Sequence, residues 1–186
     1  MPDRIKFAIA CWKAFRKIVK HKIAVFRAGH GWVPMWRLIV HDFSKLTWTE
    51  FKYYTLKFEL QDCPKEVEEA GWAHHLAHND HHLEFWPTCP SGFSLMPKDA
   101  IKEMVADWMG ASYAYEGKWP SCFTWEWGKQ NIPRYCAAFD VESRMFLLDV
   151  LWANTLISTD DYTKWRFGGQ IPPEGASIWR KPSKSK

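Results

Sequence analysis

Apolar residues in the first thirty positions recur at the three- and four-residue spacing of one helix face. The sequence therefore predicts a first helix, with Asp3 as a capping residue at its start and Gly29 as its stop. The residues that form the predicted apolar face are Ile5, Ala8, Ile9, Trp12, Phe15, Ile18 and Val19.

Helical spacing recurs along the chain, whereas strand signals are weak. Pro34 suits the first turn of a second helix, and Thr47 with Glu50 forms a capping-box pattern that opens a third. The predicted helices cover about 35–41, 47–58, 64–86, a segment from 97 that carries Asp107, and 138–157. The sequence predicts an all-α fold, a helical bundle of about five to seven helices.

Two segments lack a clean helical period. Residues 113–135 combine many aromatic side chains with Gly and Pro, so we expect a long aromatic loop. The polar, Gly- and Pro-rich end, from Asp160 on, is expected to lie extended. We therefore predict a single domain over 1–160 and an extended or disordered tail over 161–186.

Charge and composition exclude some classes of protein. Much of the formal net charge of +4 comes from the last residues, Arg180, Lys181, Lys184 and Lys186. Without these cations the body is nearly neutral, so the sequence does not indicate stable nucleic-acid binding. Nearly half of the residues are apolar, which is enough for a core. The oligomeric state is left open.

Cysteine usage and hydropathy indicate a cytoplasmic protein. The five cysteines are scattered without a CxxC pair, so we expect reduced thiols rather than disulfides. No apolar run approaches the ~18–20 residues of a membrane span. Basic residues interrupt 5–19, which argues against a signal peptide. We expect no membrane partner.

The histidines concentrate between His21 and His82, and this is the main chemical signal. His41 and Asp42 present an imidazole and a carboxylate from consecutive positions. Imidazole and carboxylate together suit zinc, manganese, iron or nickel, and carboxylate suits magnesium as well. His21 is placed on the inward side of the first helix, where a hydrogen-bonded core histidine is the alternative. Asp107 lies mid-helix among small and apolar residues, and the alternative is an exposed aspartate.

Five histidines fall within the nine residues from His74 to His82. A helix through this segment would align His75, Asn79, His82 and Trp86 in one stripe. His74, His78 and His81 would form another beside it. Candidate roles are metal ligation, phosphate binding by imidazolium and acid–base catalysis. The alternative is that some merely pack or face water, which we expect of His78.

Lys45 follows the His–Asp pair by one helical turn. A cation there can hold a phosphate oxygen and stabilise the charge of a transition state. The alternative is an ordinary surface lysine. Glu50 has the same two interpretations, a role in the site or an ordinary structural role, and capping alone is enough to explain it.

His21, His41-Asp42 and distal Asp107 together resemble the H…HD…D signature of HD-domain phosphohydrolases, and HDFSK resembles their HD-x-x-K motif. The chain also resembles a small family found mainly in phages and bacteria. The patterns of that family are HDFSKLTWTEF, AWxHHxxxNxHHxxxW and MPxxxxxEMxxDWxGA. The resemblance covers roughly residues 18–115 and all candidate ligands, but not the tryptophan-rich loop or the tail.

The resemblance implies a helical bundle around one or two divalent ions (Mn, Fe, Zn, Ni, Co or Mg). His21, His41, Asp42 and Asp107 would be ligands. His75 and His82, with or without His81, would complete a second metal site or bind the scissile phosphate. A metal-bound water would attack a phosphate ester, expected to be a nucleotide. Lys45 and a clustered histidine would neutralise developing charge. The implied catalytic residues are Lys45, Asp42, His75 and His82. The protein would act in the cytoplasm, that of a bacterial host cell if it is phage-encoded.

Two other classes of protein fit the same residues. One is a metal-containing protein that binds or sequesters a nucleotide without turnover. The other is a phage interaction protein whose tryptophan-rich surface binds a host protein. Metal content and phosphate release discriminate among the three.

Overall fold

The structure is a computed structural model that describes residues 4–167, and in that range it is all-helical. The α-helices are α1 (Arg4–Gly29), α2 (Met35–Val40), α3 (Trp48–Tyr54), α4 (Lys65–His78), α5 (Lys98–Glu116), α6 (Glu126–Ala137), α7 (Val141–Ala153) and α8 (Thr159–Phe167). Short 3-10 helices span Phe43–Leu46 and Leu83–Phe85, and a π-helical segment spans Thr55–Leu60. The all-α prediction is confirmed.

The chain divides into two compact units. Among the described residues, the larger unit comprises 4–86 and Asp99–Trp119, and the smaller comprises Pro87–Lys98 and 120–167. Every residue of the predicted metal site belongs to the larger unit. The prediction of one domain over 1–160 stays a prediction.

Helix α1 ends at Gly29 as predicted, whereas Asp3, its predicted cap, lies outside the described residues. His21 lies on the inward side of α1 as predicted, but of the predicted apolar face only Ile18 is buried. The buried residues of α1 are Ala10, Ala14, Ile18, His21, Ala24, Val25 and Gly29. The larger apolar side chains point outward, and Trp12 is 61% exposed. Small side chains on the inner face allow neighbouring elements to approach α1 closely.

Helices α1 and α5 approach each other closely at one point. A Cβ atom on Gly110 would lie 2.7 Å from the backbone nitrogen of Val25, so no larger residue fits there without moving a helix. Val25 lies about one turn after His21, and Gly110 about one turn after Asp107. The tight crossing therefore brings His21 and Asp107 to the same place. Val25 and Ala106 also share a small core with Val33 and Leu38.

The fourth helix is shorter than predicted, because it ends at His78 rather than near Trp86. Asn79 leaves helical geometry, with φ −126° and ψ 98°. Its side-chain amide donates to the carbonyl oxygen of His75 at 2.8 Å, which replaces the backbone donor that a continuing helix would supply. The predicted helical stripe through His82 and Trp86 is therefore wrong.

The predicted aromatic loop over 113–135 is also wrong at both ends. Helix α5 continues to Glu116, and α6 begins at Glu126. Within the smaller unit, a Cβ on Gly128 would lie 2.1 Å from the ring of buried Trp125, so this glycine makes room for the indole. Glycine here serves packing, although its presence suggested a loop.

The predicted extended tail is wrong for residues 161–167, which belong to α8. The hydroxyl of Ser158 accepts a hydrogen bond from the backbone N–H of Asp161 and so caps this helix. Tyr162 stacks on Trp152 and donates to Asp149. Residues 168–186 lie outside the described part of the chain.

Within residues 4–167, no helix is both long enough and apolar enough to cross a membrane.

Candidate metal centre

Four side chains converge on one point in the larger unit. His21 Nε2 lies 3.0 Å from both Asp42 Oδ2 and Asp107 Oδ1. His41 Nε2 lies 3.2 Å from Asp42 Oδ2, 3.3 Å from Asp107 Oδ1 and 3.4 Å from His21 Nε2. We call these residues the four-residue group. The sequence-predicted ligands His21, His41, Asp42 and Asp107 therefore lie together.

The spacing of these atoms fits a bound metal ion. Ligand atoms about 2.1 Å from a metal lie about 3.0 Å apart in octahedral geometry and about 3.4 Å apart in tetrahedral geometry. The observed separations of 3.0–3.4 Å cover this range. His21, His41 and Asp42 are buried. Two imidazoles and two carboxylates are the donor set of a transition-metal or magnesium site.

The backbone at the end of α2 directs two ligands to this point. His41 is the C-terminal cap of α2, and its N–H donates to the carbonyl oxygen of Arg37. Asp42 then adopts a left-handed conformation, with φ 55° and ψ 23°. Such a conformation is uncommon for a residue with a side chain, although aspartate tolerates it better than most. This corner turns the His41 and Asp42 side chains toward the same point.

The electrostatics of the four-residue group favour positive charge. Burial opposes protonation of His41, but attraction to Asp42 and hydrogen bonds to Asp107, Asp42 and Glu103 raise its pKa well above the ordinary value. Burial likewise opposes ionisation of Asp42 and Asp107. The pKa of Asp42 is nevertheless held well below the ordinary value, chiefly by His41 and Lys45. The pKa of Asp107 is held well below it as well, chiefly by hydrogen bonds from His21 and His41. The same field would stabilise a cation.

Glu103 supports the ligands from α5. His41 Nδ1–H donates to Glu103 Oε1 at 2.9 Å, and His81 Nδ1 lies 3.3 Å from the same oxygen. Arg37 Nε donates to the other oxygen at 2.6 Å. Burial opposes ionisation, but the hydrogen bonds from His41 and His81 outweigh it and lower the pKa of Glu103 to about 2. A carboxylate at Nδ1 fixes the tautomer that leaves His41 Nε2 free to bind metal.

A second cluster lies beside the first and consists of His75, His81 and His82, which we call the three-histidine group. His75 Nε2 and His82 Nε2 face each other at 2.8 Å. Single ligand atoms from all three residues lie within 4.8 Å of one another. His75 comes from the last turn of α4, whereas His81 and His82 follow in the turn after it.

Glu50 supports the three-histidine group as Glu103 supports His41. The ring N–H at His75 Nδ1 donates to Glu50 Oε2 at 2.8 Å, and His74 Nδ1 donates to Oε1 at 2.7 Å. Glu50 is fully buried. The capping interpretation is wrong, because Thr47 makes no side-chain cap hydrogen bond and Glu50 lies among the histidines. Burial opposes its ionisation, but hydrogen bonds from His75 and His74 lower the pKa of Glu50.

Asp42 joins the two groups. Its Oδ2 belongs to the four-residue group, while Oδ1 lies 3.7 Å from His81 Nε2 and 3.9 Å from His75 Nε2. Asp42 Oδ1 and His81 Nε2 are buried without a hydrogen-bond partner among the described residues. Buried polar atoms without partners are costly. A cation bound by the three-histidine group and Asp42 Oδ1 would satisfy both atoms.

In the three-histidine group, His82 favours the neutral imidazole form. Burial lowers the pKa of His82 well below the ordinary value, and the electrostatic effect of the neighbouring His81 and His75 lowers it further. Neutral imidazole keeps the lone pair that coordinates a metal.

Lys45 is buried at the same place, and its ammonium donates to Asp42 Oδ2. It lies 5.2 Å from the centre of the Tyr54 ring. Burial disfavours its charged form, but attraction to Asp42 outweighs this and raises its pKa, so the ammonium stays charged. The surface-lysine alternative is excluded by this burial.

A cavity of about 110 Å³ opens beside His21 and Lys45. Its other lining residues are Ala14, Lys17, Ile18, Tyr54, Phe58, Glu59 and Tyr115. Tyr54, Phe58 and Glu59 flank or belong to the π-helical segment, whose wider turn brings residues four and five positions apart onto one side. The candidate metal centre therefore borders a pocket with mainly aromatic and apolar walls.

The structure separates the remaining histidines of the cluster from the two groups. His74 contacts Glu50, whereas His78 is exposed, and its Nδ1 donates to the carbonyl oxygen of His74 at 2.8 Å. Sequence reasoning missed Glu103 as a site residue and misassigned Glu50. The signal for Glu103 was its position one helical turn before Asp107, on the same face of α5.

These observations define an all-α protein with two adjacent candidate metal-binding groups. The chain belongs to a family of unknown function (DUF5662), whose model matches residues 10–151. That range includes every candidate ligand. No curated protein and no solved structure matches the chain.

Proposed function

We propose that this protein is a metal-dependent phosphohydrolase of the HD type that acts on a nucleotide or a related phosphate ester. The observation that carries the proposal is the sharing of Asp42 between two groups of potential ligands. Oδ2 faces His21, His41 and Asp107, and Oδ1 faces the three-histidine group. A bridging carboxylate is a common way to hold two divalent ions a few ångströms apart, the arrangement of two-metal phosphohydrolases.

The residues have separate roles in this proposal. His21, His41, Asp42 and Asp107 would hold one ion, and His75, His81 and His82 would hold a second with Asp42. Divalent ions at such a site supply a bound water of lowered pKa and polarise a phosphoryl oxygen. The ion would be Mn, Fe, Zn, Ni, Co or Mg. Glu103 and Glu50 orient the imidazoles, and a carboxylate at the second ring nitrogen also raises the basicity of the first.

Lys45 would bind the substrate phosphate. Its charged ammonium borders both Asp42 and the cavity. A positioned cation stabilises negative charge that develops on phosphoryl oxygens and on the leaving group. An ion held by Asp42 Oδ2 would satisfy part of the carboxylate charge, which would leave the Lys45 ammonium available to a phosphate oxygen.

The cavity would receive the organic part of the substrate. Tyr54, Phe58 and Tyr115 offer flat apolar surfaces, and Glu59 adds an acceptor on the same wall. Aromatic side chains stack on flat rings, and carboxylates accept hydrogen bonds from amino and hydroxyl groups. A nucleoside carries both kinds of group.

The five free cysteines agree with a cytoplasmic protein, in a bacterial host cell if it is phage-encoded.

The test combines metal analysis with turnover on the same preparation. We expect elemental analysis to find one or two transition-metal ions per chain, and a chelator to lower the melting temperature. Phosphate release from a panel of nucleotides with Mn²⁺ or Mg²⁺ should then identify the substrate. Metal without turnover would favour a nucleotide-binding or sequestering protein. Absence of both would favour an interaction protein and overturn the proposal.

A further inference from the structure

The outward face of α1 carries a continuous apolar stripe. Its members recur at three- and four-residue spacing over nearly five turns: Ile9, Trp12, Phe15, Val19, Ile23 and Phe26. Trp12 is 61% exposed, Ile23 55% and Ile9 51%. These side chains lie opposite the small residues that α1 turns to the core. Exposed apolar patches of this extent mark binding surfaces.

The stripe continues onto the neighbouring elements of the same unit. Ile23 and Phe26 line a groove together with Ile39 of α2 and Phe43 of the following 3-10 helix. Ile39 and Phe43 are themselves 53% and 54% exposed. The apolar surface therefore extends beyond one helix.

The charge of α1 is entirely of one sign. The helix contains eight lysine and arginine residues and no aspartate or glutamate: Arg4, Lys6, Lys13, Arg16, Lys17, Lys20, Lys22 and Arg27. Of these, Lys17 pairs with Glu59, and no other α1 cation pairs with an acidic side chain in residues 4–167. Arg16, Lys20 and Arg27 border the stripe, where they line a second groove with Trp12 and Phe15. The occupant of this face must be both apolar and anionic.

Two candidate partners, a second copy of this chain and single-stranded nucleic acid, do not match both the apolar stripe and the positive charge of α1. A second copy of the chain, packed stripe to stripe, would place cations against cations with no acidic residue on α1 to pair with them. Single-stranded nucleic acid would use the aromatic rings for base stacking. However, Ile9, Val19 and Ile23 are aliphatic and offer no ring to stack on, although they would insert well into hydrocarbon.

We propose that the outward face of α1 binds the surface of an anionic phospholipid membrane. A basic polar flank beside a stripe of Trp, Phe and Ile is the composition of helices that lie in the plane of a membrane interface. Arg16, Lys20 and Arg27 contact the headgroups, and the stripe inserts among the upper parts of the acyl chains. This binding is peripheral. It departs from the expectation of no membrane partner, which rested on the absence of a spanning segment, and it does not depend on hydrolysis.

The experiment is co-sedimentation of the full chain with vesicles of phosphatidylcholine alone or of phosphatidylcholine with about one third phosphatidylserine. We expect strong binding only to the anionic vesicles, weakened by salt. Each Lys or Arg near an anionic surface contributes roughly five-fold to partitioning, so Arg16→Gln with Arg27→Gln should lower it roughly 25-fold. Trp12→Ser should lower it more than about ten-fold.

The control is Phe123→Ser, which removes an exposed aromatic side chain from the smaller unit and should leave binding unchanged. Circular dichroism and metal content check that each variant is folded. Failure to bind anionic vesicles, or equal binding to neutral ones, overturns the proposal. If size exclusion shows a dimer that Trp12→Ser converts to monomer, the membrane proposal is overturned in favour of a second copy of the chain. If the protein binds a single-stranded oligonucleotide in preference to vesicles, it is overturned in favour of nucleic acid.

Discussion

The two groups of candidate ligands in the larger unit are built in opposite ways. The four-residue group draws on three segments that are far apart in sequence, at residues 21, 41–42 and 107, and it contains two carboxylates. The three-histidine group comes from residues 75–82 and contains only imidazoles. The first therefore depends on how α1 and α5 cross, whereas the second depends mainly on how the chain turns after α4.

This difference predicts unequal affinities for metal. Two carboxylates attract a divalent ion by charge as well as by coordination, and three neutral imidazoles do not. The three-histidine group can gain negative charge from Asp42 Oδ1, so its affinity should depend on the other group. Both groups therefore depend on Asp42.

Asp42→Asn should have the largest effect, because it removes the one charge that the two groups share. We expect metal to be lost from both groups. Removal of one positioned donor typically lowers turnover about 10²–10³-fold, and we expect a larger loss here. Elemental analysis and phosphate release measure the two quantities. Asp99→Asn, at the exposed start of α5, is the matched control and should change neither. Retention of one full equivalent of metal with normal turnover would show that Asp42 is not shared.

Lys45→Ala should have the next largest effect, because it separates catalysis from metal binding. If Lys45 holds the scissile phosphate, metal content should stay unchanged while turnover falls about 10²–10³-fold. Lys45→Arg should rescue poorly, because a planar guanidinium places its charge differently from a compact ammonium. Lys52→Ala on α3 is the control. An unaltered rate with full metal would leave the phosphate to the histidines.

The ligands themselves were easier to predict from sequence than their surroundings. Helical periodicity places His21 inward, and Asp107 lies among small and apolar residues, where a carboxylate needs a partner. His41-Asp42 is an adjacent imidazole–carboxylate pair, and the resemblance to the H…HD…D signature is what joins the four residues. Glu50 and Glu103 were not assigned to the site, because a glutamate on a helix has ordinary explanations. Only the fold brings Glu50 against His74 and His75.

The helices were predictable, but some of their ends and faces were not. The side chain of Asn79 ends α4 by competing for the carbonyl oxygen of His75, a choice that periodicity does not reveal. On α1 the inward position of His21 was predictable, but most of the larger apolar residues of the predicted face are exposed. The inner face of α1 packs closely against α5 where Val25 meets Gly110, and this constraint lies in a partner helix.

Glu50→Gln should have a smaller effect, confined to the three-histidine group. Glu50 accepts from His75 Nδ1 with one oxygen and from His74 Nδ1 with the other, whereas glutamine has only one accepting oxygen. Loss of such a supporting carboxylate typically lowers metal affinity about 10–100-fold. A metal titration that resolves two equivalents should show only the weaker one affected. Glu103→Gln, which contacts both His41 and His81, should affect both equivalents, and identical titrations for the two variants would contradict this division of roles.

His78→Ala should have the smallest effect, and it tests where α4 ends. If the helix continued past His78, residues 78 and 82 would lie one turn apart and would share a face. In the structure α4 ends at His78, whose exposed ring donates only to the carbonyl oxygen of His74, while His82 turns back to meet His75 at 2.8 Å. We therefore expect His78→Ala to change the free energy of unfolding by no more than about 0.5 kcal/mol and to leave turnover unchanged. His75→Ala and His82→Ala should each remove the weaker metal equivalent and most of the turnover. The reverse ranking, with His78 essential and His82 dispensable, would mean that the chain leaves α4 in a different register and that the three-histidine group is wrongly composed.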